Sequence, residues 1–165
     1  TILLDKPFQN GEFIHVDNIW ATVERVGVRS TRLRGINGEV IVKSNSSLTN
    51  GTIYNYAEME YRRLVHSIGV TYDTSVEKIQ SIPELIKSIV EKTDDAVYDR
   101  CHFISFGNFS LDFELVYYIP TNNYLRAMCA QEEINLGIMR KFDEESIEFA
   151  FPTQTLHLSN KDSKD

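Results

Sequence analysis

The first part of the chain alternates apolar and polar residues over short stretches, as β-strands do. A turn-forming Asn37-Gly38 pair predicts a hairpin, and a loop rich in Ser, Asn and Gly is expected at 45–51. Several short strands joined by tight turns predict a small barrel or curled sheet, of SH3- or Sm-like type, over residues 1–57. The predicted strands are 13–16, 20–28, 28–34, 39–43 and 52–56.

The pattern changes near residue 58, where one long strand and a helix are predicted. Within 58–72, Leu64, His66, Ile68, Val70 and Tyr72 all fall on one face of the predicted strand. Residues 73–75, Asp-Thr-Ser, can cap the helix that follows, and an apolar stripe runs through 85–90. Pro83 lies inside this helical pattern, so we expect a new turn or a second helix to begin there.

Two strands, a helix and a final strand complete this region. The resulting order, βαββαβ, is that of the ferredoxin-like fold, in which two helices cover one face of a four-stranded sheet. The chain is therefore predicted to be α+β, with the ferredoxin-like domain at 58–151. The predicted elements are strand 100–106, strand 109–119 after the Gly107-Asn108 turn, a helix from Asn122 or Asn123 to about Phe142, and strand 146–151.

Residues 152–158 follow this domain as a short β-prone segment, which is too isolated to fold alone. We therefore expect it to pair with strands from other chains. His157 has two interpretations. In the first it repeats around a symmetry axis and forms a ring of imidazoles. In the second it faces outward, because successive side chains of a strand point to opposite faces. The polar residues 159–165 are predicted to be a disordered tail.

The composition, with 42% hydrophobic and 25% charged residues, is that of a folded globular protein. The net charge of −7 is uneven, because residues 1–66 hold eight basic and seven acidic residues whereas 67–165 hold nine and seventeen. This acidic half argues against nucleic acid as a partner. No apolar run approaches the ~18 residues of a membrane helix, and the first residue is Thr1, so we expect any membrane segment to precede it.

Candidate reactive groups are few and scattered. No Gly-x-Ser-x-Gly, P-loop or Gly-x-Gly-x-x-Gly pattern occurs, so no catalytic residue is assigned and no enzyme activity is expected. Cys101 and His102 are adjacent on a predicted strand and point to opposite faces, so they cannot chelate one metal ion. Cys129 is distant in sequence from Cys101, and the pair does not make a disulfide framework. No metal or cofactor is expected.

Several spaced motifs carry a family resemblance. They are Lys6-Pro7-Phe8 with Gly11-Glu12-Phe13-Ile14, the run TVERVGVRSTRLR from Thr22 to Arg34, Asn37-Gly38-Glu39, Asn45-Ser46, Ile53-Tyr54-Asn55-Tyr56, and Phe151-Pro152-Thr153-Gln154-Thr155-Leu156. Together they resemble the cytoplasmic part of the small-conductance mechanosensitive channel (MscS) family. The chain departs from the family pattern at Ala21, which replaces Gly, at Glu12, which replaces Asp, and at Ser44, which replaces Pro.

The resemblance implies a subunit of a homoheptameric channel on the cytoplasmic side of an inner or plasma membrane, or the equivalent side of an organelle membrane. In the full-length protein, transmembrane helices would precede Thr1 and cross the lipid bilayer. Ions and small solutes would pass through a cytoplasmic chamber. Arg29 is interpreted as an intersubunit or interdomain anchor; the alternative is an exposed strand charge. Strand alternation places Arg32 and Arg34 on one face with Ser30, and Arg29 on the other face with Thr31 and Leu33. The family-motif positions for assembly are Gly11, Gly27, Arg29, Thr31, Arg32, Asn45 and Asn55. The interchain barrel strand comprises Pro152, Thr153, Gln154, Thr155, Leu156 and His157.

A second hypothesis is a soluble regulatory or small-ligand-binding module built on the ferredoxin-like sheet. It predicts dimers, a ligand pocket and a native Met shortly before Thr1. The channel hypothesis predicts hydrophobic helices encoded upstream and sevenfold assembly.

Overall fold

A computed structural model describes residues 7–159, which form two compact units. The first unit takes the chain up to Arg62 together with Pro120–Ala127, and the second takes Arg63–Ile119 and the chain from Met128 onward. Lys6 of the opening motif and residues 160–165 of the predicted tail lie outside the described residues.

The first unit is a five-stranded sheet with one short helix. The order across the sheet is β4-β3-β2-β1-β5, and neighbouring strands run antiparallel. Because β4 and β5 are its two edges, no barrel closes among the described residues. The elements are β1 (Phe13–Val16), β2 (Ile19–Val26), β3 (Ser30–Gly35), β4 (Val40–Ser44), α1 (Asn45–Thr49) and β5 (Tyr54–Asn55).

Two tight turns set the register of this sheet. The predicted hairpin at Asn37-Gly38 joins β3 to β4, and Gly38 has a φ of 90°. Asp17 and Asn18 join β1 to β2 with φ values of 48° and 61°, the left-handed conformation that type I′ turns require. The Asp17-Asn18 turn was not predicted, because such turns are most clearly marked by glycine and neither residue is one.

One face of the first sheet carries the core of this unit. Alternate residues of β1, β2 and β3 point inward, as the period of two predicts. Each fully buried aliphatic or aromatic side chain of this kind stabilises a fold by about 1.5–3 kcal/mol relative to its exposed state. The buried set is Phe8, Ile14, Val16, Ala21, Val23, Leu33 and Leu48.

The predicted loop at 45–51 is instead partly helical, because α1 occupies Asn45–Thr49. Ser44 is its N-cap, and the Ser44 Oγ accepts a hydrogen bond from the Ser47 N–H at 3.2 Å. Leu48 anchors the helix in the core. A helix of five residues is too short to show a periodic apolar stripe, so the sequence pattern missed it.

The second unit is built on a three-stranded sheet with the order β6-β8-β7 and two helices. Their sequence order is the predicted strand, helix, strand, strand, helix, and the α+β class is confirmed. The long strand β6 is shorter than the predicted 58–72. The elements are β6 (Arg62–Val70), α2 (Val76–Lys92), β7 (Val97–Phe106), β8 (Leu111–Ile119) and α3 (Tyr124–Glu144).

The predicted last strand at 146–151 is reduced to a single antiparallel bridge between Val70 and Phe149. One flanking hydrogen bond runs from the Ala150 N–H to the Gly69 carbonyl at 2.9 Å. Ser146 has a φ of 55°, a left-handed conformation that no β-strand contains, so pairing cannot begin there.

Pro83 does not divide α2, which is one continuous helix, so the prediction of a new turn or second helix was wrong. Ser75 is its N-cap, as the capping run predicted. Ile82, Ile86 and Val90 are buried at intervals of four residues, on one stripe that passes Pro83. Packing of this stripe outweighs the roughly 3 kcal/mol by which proline disfavours a helix interior.

Candidate functional site

Thr31 and Asn45 of the predicted assembly set meet in one buried hydrogen-bonded network. Thr31 is 0% exposed and Asn45 is 5% exposed. The Thr31 Oγ1 donates to the Asn45 Oδ1 at 2.8 Å, and the Asn45 Nδ2 donates to the carbonyl oxygens of Gly27 at 2.9 Å and Val28 at 3.2 Å. One amide therefore fastens the β2–β3 turn to β3 and to the start of α1, and it satisfies buried polar groups on all three.

The turn between β2 and β3 depends on Gly27. Its N–H donates to the Ser30 carbonyl at 2.8 Å. A Cβ on residue 27 would lie 2.6 Å from that oxygen, closer than real Cβ contacts come, so the backbone would have to move. Because Gly27 has no side chain, the turn can close tightly, and hydrogen bonds from the Asn45 side chain hold it in place.

A second network holds the other end of the sheet and includes Gly11 and Asn55. The Asn55 Nδ2 donates to the Pro7 carbonyl at 3.1 Å and to the Glu12 Oε2 at 2.9 Å. Gly11 has a φ of 88°, and its N–H donates to the Val23 carbonyl at 2.7 Å. Asn55 therefore ties β5 to the segment that precedes β1.

The arginines of β3 form an ion-pair cluster on its outer face, as strand alternation predicted for Arg32 and Arg34. The Arg32 Nε lies 2.8 Å from the Glu24 Oε2, and the Arg34 Nε lies 2.7 Å from the Glu24 Oε1. Hydrogen bonds from Arg34 and Arg32 hold the pKa of the Glu24 carboxyl below its ordinary value. The cluster is solvent-exposed, so its contribution to stability is small.

Arg29 lies outside β3, in the bend before it, so its predicted place on the strand was wrong. Its carbonyl oxygen accepts a hydrogen bond from the Asn45 N–H at 2.8 Å. The exposed guanidinium forms no ion pair with any of residues 7–159. Arg29 therefore differs from Arg32, whose charge is already neutralised within the chain.

The thiols and imidazoles of the described region do not converge. No three His, Cys, Asp or Glu side chains among residues 7–159 are placed to hold a metal ion. Cys101 is buried and His102 is exposed, as alternation predicted. Burial raises the pKa of the Cys101 thiol to about 12, so this sulfur is protonated at neutral pH and is a poor nucleophile and ligand.

His66 forms a polar cluster that the sequence pattern placed on the inner face but did not identify. Its Nε2 lies 3.3 Å from the Tyr117 hydroxyl and 3.1 Å from the Gln131 Nε2. Burial lowers the pKa of His66 and raises that of Tyr117 to about 12. A neutral imidazole beside a neutral phenol is a satisfied polar pair inside a fold rather than an acid–base couple.

An aromatic cluster on β1, β2 and the residue after β5 was also not predicted. His15 and Trp20 face each other across the β1–β2 ladder with ring centroids 4.2 Å apart. Phe13 stacks on Trp20 at 6.0 Å, and Tyr56 lies 5.2 Å from the same ring. The available signal was the period of two, which places Phe13 and His15 on one face of β1.

The proposed barrel segment 152–158 contains no helix or strand, and all of its residues are exposed. Leu156 is 75% and Leu158 is 92% exposed. No helix among residues 7–159 is both long and apolar enough to cross a membrane.

Comparisons with known proteins agree across the chain. Residues 64–149 match the family described as mechanosensitive ion channel MscS, C-terminal, and residues 1–58 match the mechanosensitive ion channel beta-domain. The small-conductance mechanosensitive channel MscMJ of Methanocaldococcus jannaschii is 39% identical over 95% of this chain and 45% of its own length. The large-conductance channel MscMJLR of the same organism is 40% identical over 98% of this chain and 46% of its own length.

A solved structure shares the fold. The closed-state crystal structure of Helicobacter pylori MscS superposes with a TM-score of 0.80 at 22% identity, and the match covers 96% of this chain and 62% of that one. The chain spans less than half the length of the two curated relatives. The match to the C-terminal family over 64–149 covers more than half of the chain, and the chain belongs to the MscS family of mechanosensitive ion channels.

Proposed function

We propose that this chain is the cytoplasmic vestibule of a mechanosensitive channel subunit, which assembles the subunit ring and filters ions and small solutes on their way to a membrane pore. The observation that carries this proposal is the family match over 64–149. Relatives named as channels support a role in conduction rather than catalysis. In this proposal the pore helices precede Thr1, and the chain lies on the cytoplasmic side of the membrane.

The proposed ring is homo-oligomeric, with seven subunits as the family resemblance implies. Its support within the described residues is the exposed segment 152–158. In an extended strand Leu156 and Leu158 lie on one face, with Thr155 and His157 on the other. Burying each leucine against neighbouring copies contributes about 1.5–3 kcal/mol, so an interchain barrel removes the apolar exposure that the single chain leaves.

Deletion of 152–158 tests the barrel. We expect the deletion to weaken oligomers of the full-length subunit in native mass spectrometry, while the circular dichroism and melting of the isolated chain stay nearly unchanged. The double substitution Leu156→Ser with Leu158→Ser should act like the deletion, and Thr155→Ser on the opposite face is the matched control. Equal loss of folding and assembly would show that the segment belongs to the monomer fold and would overturn the barrel.

Arg29 is the proposed anchor between subunits or domains, because its exposed guanidinium forms no ion pair among residues 7–159. Arg29→Gln should weaken assembly of the full-length subunit. Arg25→Gln is the control, since Arg25 is an exposed arginine of β2 outside the predicted assembly positions. Equal effects of the two substitutions would contradict the anchor role.

The channel activity itself has a direct test. The full-length gene should encode apolar spans of about 20 residues upstream of Thr1. Expressed in a bacterium that lacks its own mechanosensitive channels, the protein should restore survival after hypoosmotic shock and give stretch-activated currents in membrane patches. Absence of the upstream spans or of the currents would refute the proposal.

The filter is proposed to be weakly cation-favouring. Residues 67–165 carry seventeen acidic and nine basic residues, and an acidic wall raises the local cation concentration. Replacing Glu132 and Glu133, both exposed on α3, with glutamine should shift the reversal potential toward anions. The shift should shrink in high salt, because screening acts beyond about 8 Å at physiological ionic strength. A salt-independent shift would contradict the electrostatic filter.

A further inference from the structure

The first unit carries an open cleft of ≈ 880 Å³ beside its aromatic cluster. The residues that matter for its chemistry come from three chain segments and include four aromatic rings, one arginine and one asparagine. Among residues 7–159, none of those that line it is acidic. The set comprises Phe13, Trp20, Tyr56, Arg62, Asn122 and Tyr124.

One wall of the cleft is a stacked aromatic surface. The rings of Phe13 and Trp20 lie 6.0 Å apart at an interplanar angle of 22°, and Tyr56 lies 5.2 Å from Trp20. Trp20 remains 39% exposed. Indole and phenol faces of this kind stack planar apolar groups with specific geometry.

Arg62 supplies a positive charge that has no counter-ion in the described part of the chain. Its guanidinium carbon lies 5.4 Å from the centroid of the Tyr124 ring. Its Nε is buried and has no hydrogen-bond partner, and Arg62 forms no ion pair within residues 7–159. An anion against this guanidinium would supply the counter-charge that it lacks among residues 7–159.

The start of α3 adds positive potential at the same cleft. α3 begins at Tyr124, and its first turn contains no acidic residue. The Asn123 Oδ1 caps the helix by accepting from the Arg126 N–H at 3.1 Å. The Asn122 Nδ2 donates to the Ala57 carbonyl at 2.8 Å, which fixes this end of the helix against the cleft. The partial positive charge of the helix N-terminus reinforces Arg62.

We propose that this cleft binds a small organic anion with a planar apolar body, whose ring stacks on the Phe13–Trp20–Tyr56 wall and whose anionic group faces Arg62. The charge of the site is local, because the chain as a whole carries −7. The site is distinct from the features on which the conduction proposal rests, since among residues 7–159 neither the segment 152–158 nor any acidic residue lines it.

Trp20 makes the test direct, because it is the only tryptophan of the chain. Incorporation of 5-fluorotryptophan gives one ¹⁹F resonance, located in the cleft wall. Four probes are titrated against it: 2-naphthoate, its uncharged analogue 2-naphthamide, the ringless anion octanoate, and inorganic phosphate. We expect a saturable shift with 2-naphthoate and dissociation constants at least about tenfold weaker for the other three. The uncharged 2-naphthamide loses the charge-assisted hydrogen bond, and octanoate and phosphate lack the planar ring that stacks on the wall.

Two variants test whether Arg62 is the residue that binds the anionic group. Arg62→Gln should weaken the binding of 2-naphthoate about tenfold and leave the affinity for 2-naphthamide unchanged. Arg63→Gln is the matched control, because Arg63 is the next residue along β6, lies on the opposite face of the strand and is exposed. It should leave the dissociation constants of both probes unchanged. An unchanged ¹⁹F shift in the unliganded variants verifies their folding.

Equal affinity of the wild type for 2-naphthoate and 2-naphthamide overturns the proposal without recourse to any variant. Equal affinity for octanoate overturns the requirement for a planar body. Equal weakening by Arg62→Gln and Arg63→Gln overturns the assignment to Arg62. Stretch-activated currents that persist in an Arg62→Gln full-length channel would leave the channel proposal intact, so the two proposals fail separately.

Discussion

Replacing Asn45 with alanine should destabilise the first unit by about 3 kcal/mol. The substitution removes three side-chain hydrogen bonds at 2.8, 2.9 and 3.2 Å. Thr31 is 0% exposed, so its hydroxyl would lose its partner where water cannot replace it. The Gly27 carbonyl would also lose its bond, while the exposed Val28 can be hydrated. One buried hydroxyl left unsatisfied costs about 1–3 kcal/mol, and the lost hydrogen bond to the half-buried Gly27 carbonyl adds about 0.5–1.5 kcal/mol, which together give the expected loss.

Urea unfolding followed by Trp20 fluorescence measures this loss, because Trp20 lies in β2 and reports on the first unit alone. Ser47→Ala is the matched control on the same short helix. Ser47 is exposed and contributes only its backbone N–H to the cap, so less than about 0.5 kcal/mol should be lost. Thr31→Val should cost about 1 kcal/mol, and its effect should not add fully to that of Asn45→Ala. A loss for Asn45→Ala no larger than that for Ser47→Ala would refute the network as a stabilising unit.

Two further predictions concern titratable groups. At neutral pH a thiol reagent should modify the exposed Cys129 and leave Cys101 unreacted until the chain unfolds, because burial raises the pKa of Cys101 to about 12; rapid modification of both thiols in the folded chain would contradict this. Arg34→Gln should raise the pKa of Glu24 toward its ordinary value in a ¹³C carboxyl titration, because the Arg34 hydrogen bond is the largest influence that lowers it. Since the folded-state pKa of Glu24 lies below the unfolded one, its stabilisation is present above the ordinary carboxyl pKa and is lost as the pH falls through the lowered value. Glu24→Gln should therefore flatten the acid side of the stability curve, and an unchanged Glu24 pKa in Arg34→Gln would count against the cluster.

Patterns of local origin were predicted from the sequence, and features that depend on tertiary contacts were not. Alternation placed Arg32 and Arg34 on the outer face of β3, and the Asn37-Gly38 pair gave the hairpin. α1 was missed because its helix depends on one cap and one buried leucine rather than on a period. The single helix through Pro83 and the reduced strand at Phe149 were predicted wrongly. In the first case core packing outweighs a local preference, and in the second the left-handed Ser146 allows only one bridge.

The same limit applies to the candidate site. The resemblance named Gly27, Thr31 and Asn45, but only the fold shows that Asn45 reaches both of the others. Pairing of Arg62 with Tyr124 was equally invisible, because 62 positions separate them and no local period connects them. The spacing of motifs in the sequence identifies candidate residues, whereas the residues that they contact depend on the path of the folded chain.

The placement of the motif residues bears on how they would serve the proposed assembly. Gly27 and Asn45 shape and hold one turn, and Gly11 and Asn55 hold the β1–β5 edge of the sheet. None of these four side chains carries a charge or an apolar group that could contact a partner. Association costs free energy when flexible groups become ordered at the interface. Surfaces that are already rigid in the monomer therefore bind more tightly for the same contact area. The motifs are therefore expected to act by preorganisation, and residues such as Arg29 and Leu156 to supply the contacts themselves. Asn45→Ala should then weaken assembly only as far as it loosens the first unit, whereas Leu156→Ser should weaken assembly with the fold intact.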